Sequence, residues 1–325
     1  MRVVMMGTGP FAVPSFRALY GSRHEVLALV TQPLRPAVGN KPPPLSPMRL
    51  VAQEHGTPIF DPPSINTPEA RQMLAELRPD LFVVADYGQI LAVETLALAP
   101  LGGINLHGSL LPRYRGAAPI NWAVFNGDAE TGVTVIHMTP RVDAGPAIAK
   151  AAIPIGPDEN AVELEHRLAE LGAPLVVETL DRLAVGPVES LVQDASQASP
   201  ARRLRKTDGD VGWQRKATAI RNQVRALEPW PRTSTFWLRP EQPPLRLILG
   251  QVSVAGADQT APAETPPGTV VAADSTGIAV ATGGGLLVIE RLQPAGKRMM
   301  TAGEFLLGYR MAAGERLGPE TVAGG

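Results

Sequence analysis

The chain has 325 residues, 44% hydrophobic and 19% charged, which is ordinary for a globular protein and long enough for two domains that each bury a core. It holds no cysteine, no apolar run of membrane-spanning length and no basic leader before an apolar core, so disulfides, thiolate metal sites, cysteine nucleophiles and a membrane partner are not expected, and a cytoplasmic location is. The net charge of -1 is unevenly spread: residues 1–190 carry 14 Lys+Arg against 19 Asp+Glu and residues 191–325 carry 16 against 12, so the basic C-terminal part points to a polyanionic partner.

The first half alternates strand and helix signals. Arg2–Met6 is an apolar run that opens into Gly7-Thr8-Gly9-Pro10-Phe11-Ala12, and Val13–Tyr20 reads as a helix. Gly7-x-Gly9-x-x-Ala12 has the form of a dinucleotide-binding turn. The second strand, His24–Thr31, however, leads into Thr31-Gln32 where an acid would hold a ribose, and Pro10 removes a backbone donor. A tight strand-to-helix turn is therefore the reading. Ser46-Pro47 and Thr67-Pro68 each set an N-cap before a proline at the first helical position, for helices to about His55 and Leu77. Leu81–Ala85, Ile104–His107, Val133–Met138 and Ala147–Ile153 read as strands, and Asn160–Ala184 as one long helix with a break near Gly172. This alternation predicts an α/β, Rossmann-like, mostly parallel sheet with helices on both faces, binding ligands at the carboxyl ends of its strands.

Helical periodicity stops after this point, and residues 188–207 read as a linker between an N-terminal domain, 1–187, and a C-terminal one, 208–325. Within that linker Arg202, Arg203, Arg205 and Lys206 form a basic cluster. Trp213–Leu227 reads as an amphipathic helix closed by Pro229-Trp230-Pro231. Ser234–Arg239, Leu245–Val254, Gly268–Ala273, Gly277–Thr282 and Leu286–Arg291 are short strands at the spacing of a small closed barrel.

The chemistry concentrates between Leu101 and Lys150. Period-2 alternation puts Asn105 and His107 on one face of their strand, and Asp143 follows the next strand in Asp143-Ala144-Gly145. An amide, an imidazole and a carboxylate at strand ends are the parts of an acyl-transfer site without a nucleophile of its own. His137 sits among apolar residues and has no second ligand at a metal-like spacing, so no metal is expected.

Asn105-x-His107-x-Ser109-Leu110-Leu111-Pro112, then Arg115-Gly116-Ala117-Ala118-Pro119-Ile120, then Gly127-Asp128-x-x-Thr131-Gly132-Val133-Thr134 resembles the formyltransferase family that uses 10-formyltetrahydrofolate. The detail is similar to the branch acting on methionyl-tRNA, and the resemblance runs from about Arg2 to about Arg316. It implies that 10-formyltetrahydrofolate gives its formyl group to the free α-amino group of initiator Met-tRNA. Asn105 and His107 would stabilise the tetrahedral oxyanion, and Asp143 would orient the imidazole and accept the amine proton. Ser109, Leu110, Leu111 and Pro112 would line the folate site, and the loop carrying Tyr87, Gly88 and Gln89 would hold the pterin ring.

For the tRNA, the resemblance implies contacts from Lys41 and Arg49 in the loop after the second strand. It further implies contacts from Arg202, Arg203 and Lys206, and from Lys297 and Arg298 in Pro294-Ala295-Gly296-Lys297-Arg298-Met299. The C-terminal barrel would be OB-like. Three departures from the family pattern stand out: Gly9 before Pro10, Asp86 in place of a small apolar residue, and Pro42-Pro43-Pro44 where basic residues are usual. An amino-sugar-nucleotide N-formyltransferase is the alternative enzyme, and a non-catalytic nucleic-acid-binding module the alternative outside catalysis. The basic cluster and the helix ending in Pro229-Trp230-Pro231 favour tRNA. Nothing in the chain demands an oligomer, and a monomer is expected.

Overall fold

A computed structural model describes residues 1–34, 46–256, 262 and 264–320. They form two compact units: Met1–Ile120 with Ala129–Gly156 and Glu163–Arg203, and Asn121–Asp128 with Pro157–Val162 and Leu204–Gly325.

The first unit is built on β1 (Arg2–Met6), α1 (Val13–Tyr20), β2 (Glu25–Val30), α2 (Pro47–Glu54), β3 (Ile59–Phe60), α3 (Pro68–Leu77), β4 (Leu81–Val84) and α4 (Val93–Leu96). It continues with β5 (Gly103–His107), β6 (Arg115–Gly116), α5 (Pro119–Asn126, which passes into the second unit), β7 (Glu130–His137), β8 (Ala147–Pro154), α6 (Ala161–Val185) and β9 (Pro200–Ala201). Seven strands lie in the order β3-β2-β1-β4-β5-β7-β8. The first five run parallel, and β7 and β8 are antiparallel to their neighbours. The chain builds outward from β1 to β3 and then returns to the other side with β4 and β5. That reversal between β1 and β4 leaves a crevice at the strand carboxyl ends, where ligands of such sheets bind. Residues Val3–Met6 and Leu81–Val84 are buried throughout, as strands covered on both faces must be.

Local chemistry explains the helices. Ser46 accepts a hydrogen bond from Arg49 N ahead of Pro47, and Thr67 does the same from Ala70 N ahead of Pro68. The expected break at Gly172 does not occur, and α6 is one 25-residue helix. Glycine is there for contact: a Cβ at Gly172 would come within 2.6 Å of Leu106 Cδ2, so the missing side chain lets α6 approach β5.

The second unit holds α7 (Ala217–Ala226), β10 (Thr233–Leu238), β11 (Leu245–Val254), β12 (Val270–Asp274), β13 (Gly277–Ala281), β14 (Leu286–Pro294), β15 (Met300–Thr301), α8 (Ala302–Gly308) and β16 (Arg316–Gly318). Its curled antiparallel sheet runs β12-β13-β14-β11-β10-β16, with β15 on β14. A bridge between Thr269 and Arg316, flanked by Leu317 N to Gly268 O (2.7 Å) and Val270 N to Glu315 O (2.8 Å), joins the two edges. Trp213, Ile220, Leu247, Ile278, Ile289, Phe305 and Leu317 fill the interior. The amphipathic helix begins at Ala217 rather than Trp213, because Trp213 turns inward and donates its indole N–H to Thr235 Oγ1 (3.0 Å). α8 starts at a capping box, Thr301-Ala302-Gly303-Glu304, that also marks it in the sequence.

The segment read as a linker is structured over much of its length. Leu191 and Ala147 exchange two backbone hydrogen bonds of 2.8 Å, and β9 pairs with β6. Small, polar residues without periodicity look like a linker because their bonds run to distant backbone, which leaves no trace in local pattern.

Candidate active site

Asn105 and His107 stand at the carboxyl end of β5, two residues apart and on one face, as the period requires. Asp143 lies in the turn between β7 and β8 with φ +50. Gly145 permits that turn, since a Cβ there would meet His137 O at 1.7 Å. The turn brings the carboxylate onto the other two side chains. Asp143 Oδ1 accepts from Asn105 Nδ2 (3.4 Å), and Oδ2 lies 3.6 Å from His107 Nδ1 and accepts from Gly116 N (2.9 Å). His107 is 6% exposed, and its Nε2 donates to the Tyr114 carbonyl (2.8 Å). That carbonyl can only accept, so Nε2 carries a hydrogen, and Nδ1 faces the carboxylate.

A buried network fixes the loop after β5. Ser109 Oγ donates to Arg113 O (2.7 Å), Thr134 Oγ1 donates to Ser109 O (2.7 Å), and Leu111 N donates to Thr134 Oγ1 (3.1 Å). The Lys150 ammonium donates to Leu111 O, and burial pushes its pKa below the usual lysine range. Gly132 makes room in β7 for Leu110, whose Cδ2 would be 2.6 Å from a Cβ there.

The expected folate residues divide. Leu110 and Pro112 are half-buried on this loop, whereas Leu111 is 1% exposed and packs on Ile136 and Ala147, which anchors the loop. Ser109 is fully buried and spent on the network above. Gly88 has φ +83 and stays open to solvent. Tyr87 belongs to the core with Val4, Met6 and Leu91, and its buried hydroxyl has no hydrogen-bond partner among the described residues. Gln89 holds its loop, accepting from Ile65 N (2.8 Å) and donating to Pro62 O (3.3 Å).

Of the expected tRNA contacts, Lys41 lies outside the described residues. Arg49 is 8% exposed, and its guanidinium donates to Asp61 Oδ2 (2.6 Å) and Gln32 O (3.1 Å). Arg202, Arg203, Lys206, Lys297 and Arg298 are exposed, with Arg298 paired to Glu304 at 2.7 Å. No cluster of three or more metal-ligating side chains occurs among the described residues, and none of their helices is long and apolar enough to cross a membrane.

Sequence reasoning missed Gln193. Its Nε2 donates to Asp143 O (2.8 Å) and Gly145 O (2.7 Å), and its Oε1 accepts from Arg115. No local signal marks it, because it lies fifty residues from the turn it holds.

The formyl transferase family model matches residues 1–180 and its C-terminal domain model residues 203–310. A methionyl-tRNA formyltransferase of Geotalea daltonii is 40% identical, over 99% of this chain and 100% of that protein. The one from Methylococcus capsulatus is 43% identical, over 98% and 100%. Among solved structures, an N-formyltransferase from Helicobacter canadensis in complex with folinic acid and dTDP-3-aminofucose shares the fold at TM-score 0.64 and 17% identity, over 88% of this chain and 98% of that one. HypX from Aquifex aeolicus in complex with tetrahydrofolic acid does so at 0.59 and 16%, over 95% of this chain and 48% of that longer one. By full-length identity and by both domain models, the chain belongs to the methionyl-tRNA formyltransferase family of formyl transferases.

Proposed function

We propose that the chain transfers the formyl group of 10-formyltetrahydrofolate to the free α-amino group of initiator Met-tRNA, giving N-formylmethionyl-tRNA and tetrahydrofolate. The observation that carries this reading is the 40–43% identity to methionyl-tRNA formyltransferases over nearly the whole of both chains.

The assembled trio supports the chemistry. The amine attacks the formyl carbon, a C–N bond forms, and the carbonyl oxygen takes the negative charge. An Asn105 N–H and a His107 ring N–H are the donors suited to that oxyanion, and each missing donor of this kind costs about 100- to 1000-fold. Asp143 accepts the proton lost by the amine, directly or through water. The tetrahedral species then collapses, the bond to the folate nitrogen breaks, and that nitrogen regains a proton. In the described conformation the Tyr114 carbonyl occupies His107 Nε2, so donation from Nε2 requires that carbonyl to be displaced.

Leu110, Pro112 and Gly88 are the loop positions open to the folate donor. Arg202, Arg203, Lys206, Lys297 and Arg298 are the exposed cations suited to tRNA phosphates. The protein works as a monomer in the cytoplasm, where its tRNA substrate is.

An amino-sugar nucleotide is the second acceptor to test, because the Helicobacter neighbour shares the fold. The deciding experiment offers labelled 10-formyltetrahydrofolate with Met-tRNA and with amino-sugar nucleotides in parallel. Label on Met-tRNA, lost in His107→Ala, is the expected result; label only on a sugar would overturn the acceptor.

A further inference from the structure

We propose that Gln193 is a positioning residue for formyl transfer, locking the Asp143 turn to the Arg115–Gly116 strand so that the carboxylate stays against Asn105 and His107. The proposal rests on the reading of Asp143 as proton acceptor.

Gln193 spends its amide on both halves of the clamp around that carboxylate. Nε2 donates to Asp143 O (2.8 Å) and Gly145 O (2.7 Å), and Oε1 accepts from Arg115 Nε (3.1 Å) and Nη2 (2.8 Å). The residue after Arg115 supplies the backbone N–H that Asp143 Oδ2 accepts at 2.9 Å. One planar side chain thus ties the carboxylate's own backbone to the strand that holds its far end.

This tie acts where the backbone needs it. Asp143 has φ +50, a conformation that an L-residue keeps only when its surroundings over-determine it. The flanking anchors are independent of Gln193. Leu191 pairs with Ala147 at 2.8 Å in both directions, Ser199 O accepts from Arg115 N (2.8 Å), and Ala201 O accepts from Ala117 N (2.7 Å). Removing the side chain therefore leaves the segment in place. It frees two carbonyls of the turn and one guanidinium, and the carboxylate loses its fixed distance to His107 Nδ1.

Leucine at this position fills the volume and makes none of the bonds. Glutamate keeps an acceptor for Arg115 but sets a charge against two carbonyls. The test is steady-state formyl transfer by the full chain as wild type, Gln193→Leu, Gln193→Glu and Asp143→Asn, with pH profiles and thermal melting. The expected result for both Gln193 variants is kcat lowered about 10- to 100-fold, KM for both substrates changed by less than about threefold, a displaced acid limb of the kcat profile and a modestly lowered melting temperature with a single cooperative transition. If Gln193→Leu does not fold, Gln193→Glu decides. Wild-type kcat in the Gln193 variants, with Asp143→Asn slow, would overturn this proposal alone. Normal turnover by Asp143→Asn, or no transfer by wild type, would overturn the underlying reading and the proposal with it.

Discussion

A β-carbon on Gly9 would come within 1.8 Å of Asp86 Oδ2, and the Gly9 backbone amide favours the charged form of that carboxylate. The two positions that depart from the family pattern on either side of the β1 and β4 ends are thus one device. Gly9 has φ -88 and ψ 176, which any residue adopts, so its small size is needed for Asp86 and not for the turn. Gly9→Ala should destabilise the protein by about 1 kcal/mol, the scale of overpacking against a side chain that must shift. In an Asp86→Ala background the same change should cost almost nothing. Thermal melting of the four-member cycle measures the coupling, and equal costs in both backgrounds would refute it.

Burial pushes the Asp86 carboxyl up to about 6, and burial together with the Asp86 charge pushes Glu165 up to about 7. Asp86 is crowded by protein yet open to solvent over part of its surface, so its share is the smaller, and half-buried Glu165 carries more. Both values lie above those of the unfolded chain, 3.8 and 4.5, so the folded state binds more protons across that window. Stability is therefore greatest below about pH 4 to 5 for these groups and is lost as pH rises through 6 and 7. Glu165→Gln should raise the melting temperature at pH 8 and change it little at pH 4.5. An increase of the same size at both pH values would show that the charge is not the cause.

Gly145→Ala should lower both stability and turnover. The added carbon would sit 1.7 Å from the His137 carbonyl, which is backbone and cannot rotate away. Overpacking of this kind costs about 1–3 kcal/mol. The turn must move, and Asp143 moves with it. Asp143→Asn, by contrast, should melt like wild type and lose most turnover. Melting curves and kcat measured together separate the two effects; a Gly145→Ala protein with normal kcat would mean that the turn tolerates displacement.

The parts of the fold that repeat a local rule were readable from sequence. Ser46-Pro47 and Thr67-Pro68 began helices where stated, and alternation put Asn105 and His107 on one face. What escaped depends on contacts between distant segments. Gly172 looks like a helix break and is a packing contact with Leu106. The packing of Leu111 on Ile136 and Ala147 could not be read locally, because those neighbours come from other strands. Gln193 looks like part of a linker and bonds Asp143, since side-chain to backbone bonds have no period. The capping box at Thr301 is a local signal for α8.

Arg49 and the cluster at Arg202, Arg203, Arg205 and Lys206 make opposite predictions from the same charge. Arg49 is 8% exposed and paired to Asp61 at 2.6 Å, so its removal leaves a carboxylate and a carbonyl without their donor. Arg49→Gln should lower the melting temperature and leave KM for Met-tRNA unchanged. The cluster is exposed, with side chains that reach water, and its replacement by alanine should leave melting unchanged. Each phosphate that the variant no longer neutralises should lower the salt slope of tRNA affinity by about 0.7–0.9, while KM for the folate donor stays put. Measuring KM for both substrates from low to physiological salt decides the matter. An unchanged tRNA constant in the cluster variant would make those four residues a solvated segment, and a raised one in Arg49→Gln would return Arg49 to the tRNA surface.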